Sequence, residues 1–153
     1  MENPLLELQE YENLLEALKK AKGPLQAAGT LESQKVHLMH ELGEDGGFPW
    51  KLVVTYDEQR AKEIYDDFRS FTRQVWLYPA KDLLFYAADI HGNLMTRQRI
   101  SVLRHLMEDE GGVVVTTIDG LMDHLMPLAF LKQHAVTVEC GQVIELDQWK
   151  ERL

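Results

Sequence analysis

The chain has 153 residues, 45% apolar and 27% charged, ordinary proportions for a globular protein long enough to bury one core. Its 25 acidic against 16 basic side chains give a formal net charge of −9, which argues against an isolated domain that grips nucleic acid by the phosphate backbone. One cysteine, Cys140, excludes an internal disulfide, and with it a disulfide-stapled secreted scaffold, so the expected compartment is the cytoplasm.

In chain order, Asn3 can cap a helix that has Pro4 at its first position, with Leu5, Leu8, Leu15 and Leu18 on one face and Gly23 as its stop. The start Met1-Glu2-Asn3-Pro4 has none of the basic-then-apolar character of a signal peptide. No apolar run approaches the roughly 18 residues of a membrane span, so no membrane partner is expected. Residues 24–28 read as a short strand and residues 31–42 as a helix ending at Gly43. "WKLVVTY" (50–56) is a strand, Asp57 caps a helix running to about Ser70, and "RQVWLY" (73–78) is a further strand. A loop from Pro79 to Asn93 precedes a helix over 94–110; Gly111-Gly112 then leads into a strand over 113–117 and a helix over 118–125. Pro127 restarts helix up to His134, and residues 135–139 read as a last strand. Strands alternating with helices predict a mostly parallel α/β sheet, and their continuous apolar runs predict helices over both faces. The last residues resemble the first turns of a helix scarcely begun, so the chain is expected to be a fragment of a longer one.

Chemistry is suggested first by "GTLESQKV" (29–36). A phosphate loop, G-x-x-x-x-G-K-[ST], uses glycines to curl backbone N–H groups around phosphates, with Lys and a hydroxyl serving the terminal phosphate and Mg²⁺. Gly29 and Lys35 keep that spacing, but Gln34 stands in place of the second glycine and Val36 in place of the metal-binding hydroxyl. The loop reads as vestigial, with chance spacing as the plainer alternative. "LVVTYDE" (52–58) looks like a strand ending in Mg²⁺-binding acids, yet an N-cap at Asp57 explains it without a metal. His37, His40 and Glu41 match no zinc helix and are expected as solvent-facing residues; His91, His105, His124 and His134 form no catalytic pattern. Cys140 is expected to be buried filler. Thr116-Thr117, at a strand end before a helix, could meet a phosphate or merely terminate the strand. The aromatic stretch 76–89 serves either packing or a partner. No metal site is expected.

Four stretches in order resemble the N-terminal region of the bacterial transcription-repair coupling factors (Mfd), which share their first domains with the repair protein UvrB. They are Gly29 to Lys35, "VVTYDEQRAKEIYDDF", "LYPAKDLLFYAADIHGNLMTRQRISVLRHL", and the stretch from Gly112 to Leu153. Pro79, Asp82, Leu84 or Phe85, Tyr86 and Arg99 fall on that family's pattern F-P-x-x-[DE]-x-L-P-Y-[DE] and S-x-R-L. Phe85, Ala87, Arg97 and Thr117 depart from it. UvrB carries an intact phosphate loop and a long hairpin on damaged DNA; the short 79–93 stretch and the decayed loop favour the coupling factor.

The resemblance implies a three-layer, RecA-like, degenerate helicase-type domain over residues 1–134 that no longer binds ATP. It also implies the truncated start of a UvrA-docking domain over 135–153. The implied role is a non-catalytic scaffold with no catalytic residue and no cofactor of its own. Its vestigial loop holds Gly29, Ser33 and Lys35, and its structural or interface residues are Pro79, Asp82, Phe85, Tyr86, Arg97 and Arg99. Apart from the resemblance, loops at the carboxyl ends of parallel strands line the crevice, so the 79–93 stretch is expected to pack over it, with Asp82 pairing Arg99. The full-length protein would be an ATP- and Mg-dependent DNA translocase that displaces stalled RNA polymerase and recruits UvrA, touching polymerase and duplex DNA through other domains. The alternatives are a live P-loop NTPase or kinase, and a generic α/β interaction module.

Overall fold

The computed structural model describes residues 3–80, 89–108, 110–135, 140 and 141. Asp82, Leu84, Phe85 and Tyr86, the side chain of Ser33, and the expected strand at 136–139 lie outside the described residues.

The N-terminal helix expected from one leucine face is two pieces, a 3-10 turn (Pro4–Glu7) and helix α1 (Gln9–Lys20). Asn3 caps the turn by accepting from the Leu5 N–H at 2.9 Å. Leu8 is extended between the pieces, and the residues α1 buries are Tyr11 and Leu15. The Tyr11 hydroxyl donates to Asp45 Oδ2 at 2.6 Å, and Asn3 Nδ2 donates to the same oxygen at 2.8 Å, so both pieces are tied to the end of α2. Burial and then the Asp45 carboxylate push the Tyr11 phenol far up, so it stays a proton donor.

Residues 24–28 form no strand and stay exposed. Pro24 offers no N–H to a ladder, and Ala27 and Ala28 have little apolar surface to bury. The stretch Glu32–Asp45 is helix α2, Trp50–Thr55 strand β1, Glu58–Phe68 helix α3, and Val75–Tyr78 strand β2. Helix α4 spans Asp89–Glu108, so it begins earlier than Leu94, and Gly112–Thr117 is strand β3, followed by α5 (Ile118–Met122). Asp57 caps α3, accepting from the Arg60 N–H at 2.6 Å.

The sheet is wholly parallel in the order β1-β3-β2, with Val53 and Leu77 both in register with Val115. The alternation of each strand divides its residues between two helical layers. Val53, Val75, Leu77, Val113 and Val115 pack with Val36 and Met39 of α2 and with Ala61, Ile64, Tyr65 and Phe68 of α3. On the opposite face Trp50, Trp76, Tyr78 and Val114 pack with Val102 and Leu106 of α4. The architecture is α/β in three layers, consistent with a RecA-like fold. The expectation of full coverage holds for β3, buried at every position, but not for β1. Leu52 and Val54, on the α4 side, remain 59% and 42% exposed.

The contacts divide the chain into residues 1–123 and 124–153. The second unit contains helix α6 (Leu128–His134), in which the Phe130 and His134 rings stack at 4.0 Å, and Cys140, which is exposed and is not the buried filler expected.

Candidate functional site at the carboxyl ends of the strands

In an open parallel sheet the crevice beyond the carboxyl ends of the strands is where ligands gather. Here a single carboxylate closes it. Glu58, one residue past the α3 cap, accepts from the Ala80 N–H at 2.8 Å and from the Thr117 hydroxyl at 3.4 Å, tying together the ends of all three strands. Thr117 in turn caps α5, accepting from the Gly120 N–H at 3.1 Å, and Thr116 donates to the Tyr78 carbonyl at 2.8 Å. The threonine pair that could have met a phosphate therefore spends its hydroxyls inside the fold. Gly120 is required by the same packing, since a Cβ there would stand 2.4 Å from Thr116 Oγ1.

Beside this knot lies Arg99, whose side chain is only 8% exposed. Its Nη1 donates to the Pro79 carbonyl at 2.8 Å and stands 2.8 Å from Asp123 Oδ2, while the guanidinium lies over the Tyr78 ring at 4.3 Å. The Asp123 contact is close enough for an ion pair, but Oδ2 has no hydrogen bond of good geometry, so charge carries it. Arg99 Nη2 and the Tyr78 hydroxyl are likewise buried with no hydrogen-bond partner among the described residues. Burial raises the Tyr78 phenol, and the Arg99 cation pulls it part of the way back. The expected Asp82 partner lies outside the described residues; among those described, the anion on Arg99 is Asp123. Arg97 is exposed two residues away, and Pro79 is buried.

The 29–36 stretch reaches the same end of the sheet, because Glu32, opening α2, pairs with Arg60 in the first turn of α3. Gly29 has φ +88°, a left-handed turn suited to glycine. Lys35, however, pairs with Glu32, and the Gln34 amide oxygen sits 3.5 Å from the Leu31 N–H. Val36, at the position of the metal-binding hydroxyl, is 2% exposed and belongs to the core. No strand precedes the loop among the described residues. Behind it lies an apolar groove of about 450 Å³ between the N-terminal helices and α2, lined by Leu5, Leu8, Tyr11, Ala28, Gln34 and Leu38 among others.

His37 and His40 are half-buried rather than solvent-facing, because both rings stack on Phe71, at 5.3 and 5.2 Å. Asp123 was missed by the sequence reading, and Glu58 was weighed there only as a metal-binding acid. Glu58 carried a signal as the acid beside a cap at a strand end; Asp123 carried none, because its partner is 24 positions away.

No protein-family profile matches the chain, and no solved structure matches it. Over 104 residues, 67% of the chain, it is similar to the transcription-repair-coupling factor of Staphylococcus epidermidis at 25% identity. The corresponding Staphylococcus aureus protein is 23% identical over the same length. The matched stretch spans 9% of the length of these relatives, so what the chain shares with the transcription-repair-coupling factors is one part of a much larger protein.

Proposed function

We propose that the chain is an N-terminal module of a transcription-repair coupling factor: a UvrB-like, helicase-type domain that has given up nucleotide and serves as a scaffold. The similarity to the coupling factors supports the family, and the order of the four resembling stretches supports the N-terminal placement. The observation that carries the scaffold role is Val36. Where a working phosphate loop presents a hydroxyl to Mg²⁺, this chain presents a methyl-bearing side chain packed into the core under β1 and β3. The would-be phosphate lysine is neutralised by Glu32, and the crevice polar groups are consumed by Glu58, Thr116 and Thr117. In the whole protein, ATP, Mg²⁺ and DNA translocation belong to other domains, RNA polymerase is displaced by them, and the residues after 135 begin the surface that docks UvrA.

Calorimetric titration of the chain with Mg·ATP should give no saturable heat, and Lys35→Ala should leave the trace unchanged. Micromolar binding abolished by Lys35→Ala would overturn the scaffold reading and establish a live P-loop enzyme. For the family, the reading frame beyond codon 153 should encode an intact G-x-G-K-T and a D-E-x-x strand; a frame without them would refute it.

A further inference from the structure

At the opposite end of the sheet, where α4 turns into β3, three side chains with metal-ligand chemistry converge. His105 Nδ1 lies 3.7 Å from Glu108 Oε2 and 3.2 Å from Glu110 Oε2, and the three donor atoms all fall within 4.8 Å of one another. The cluster is held by features that a loose surface group lacks. The His105 ring is stacked on Trp76 at 4.5 Å, and Trp76 itself tilts against Trp50 at 5.7 Å. Gly111 and Gly112, at φ +73° and +140°, lead from Glu110 into β3 through backbone that glycine favours. A side chain at Gly112 would meet the Trp76 ring at 2.4 Å, so the turn and the stack are built together.

Without an ion, His105 Nδ1 and Glu110 Oε2 are hydrogen-bonded at 3.2 Å, and the same atoms together with Glu108 Oε2 are the donors a cation would take. Arg104 stands 3.9 Å from the other oxygen of Glu108, Oε1, and leaves Oε2 facing the imidazole. A divalent ion with N and O ligands at about 2.0–2.2 Å in tetrahedral array needs donor atoms about 3.2–3.6 Å apart. The Glu110 separation from His105, 3.2 Å, is of that size, and the Glu108 separation, 3.7 Å, would close slightly on an ion. Glu108 and Glu110 are about half exposed, so an ion and its water can reach them from solvent.

We infer that His105, Glu108 and Glu110 form a site for one borderline divalent ion, zinc being the match for one imidazole and two carboxylates with an open position. The site is remote from the strand-end crevice and independent of the family reading. It ties the end of α4 to the start of β3.

The test uses Trp76 as the reporter, in the full chain carrying Cys140→Ser so that the exposed thiol does not compete. Ni²⁺ added to metal-free protein should quench tryptophan fluorescence saturably at one equivalent, and Zn²⁺ should reverse the quench. Glu110→Gln, which leaves the His105–Trp76 stack in place, should weaken Ni²⁺ by about tenfold or more, as should His105→Gln. Quenching that fails to saturate, or that has the same midpoint in Glu110→Gln, means an adventitious ion only and overturns the inference.

Discussion

Arg99→Met isolates the Arg99 anchor. Methionine keeps the length and apolar volume of the arginine stem, so the change removes charge and directed hydrogen bonds without opening a large cavity. What is lost is a charge-assisted bond to the Pro79 carbonyl, an ion pair with Asp123 and a stack on Tyr78. A hydrogen bond to a charged group contributes about 1.5–3 kcal/mol, and a desolvated cation–π contact about 2 kcal/mol. Asp123 is left unpaired, but its side chain is 25% exposed and water recovers part of that loss. These terms overlap, so the expected cost is about 3 kcal/mol, the low end for breaking a buried pair. For a chain of this size that is a fall of about 10 °C in melting temperature. Asp123→Asn should cost less, and the double mutant should show a coupling of about 1–2 kcal/mol. Circular dichroism melts of the four proteins measure all of this. An unchanged melting temperature in Arg99→Met would refute the anchoring role and leave the strand ends held by Glu58 and the threonines alone.

Further expectations follow from the same structure. Tyr11 and Tyr78 both have folded-state phenols raised above the ordinary value, so each favours the fold fully below about pH 10 and loses that contribution as pH climbs past it. Urea midpoints should therefore fall in alkali, and Tyr11→Phe should flatten the fall; an identical slope in the variant would count against the Asp45 contact. Gly112→Ala drives a Cβ toward the Gln74 carbonyl at 2.6 Å as well as the Trp76 ring, and should cost about 3 kcal/mol in denaturant unfolding, whereas Gly23→Ala, with open space around it, should cost none. With a net charge of −9, the chain should bind duplex DNA with a Kd no tighter than about 10⁻⁶ M at physiological salt; salt-sensitive nanomolar anisotropy would contradict the scaffold role.

Much of the fold was legible because it is written in local pattern. The apolar runs at 50–56 and 113–117, the Asp57 cap and the glycine pair before β3 each specify a conformation through neighbouring residues, and alternation of strand and helix then leaves little choice but a parallel sheet. That Gln34 and Val36 depart from a phosphate-loop spacing was legible for the same reason, because that spacing is local. Pairing at a distance was not. That residues 24–28 find no sheet edge, that Leu52 and Val54 stay bare, and that Tyr11 of α1 bonds to Asp45 depend on which surfaces meet after folding. Spacing alone could show neither that Val36 is packed in the core nor that Lys35 is held by Glu32. Nor could it show that Asp123 supplies the anion for Arg99, or that two carboxylates flank His105. Period and capping act over a few residues, but a charge seeks its partner in three dimensions, and only the sheet order β1-β3-β2 determines which partners are within reach.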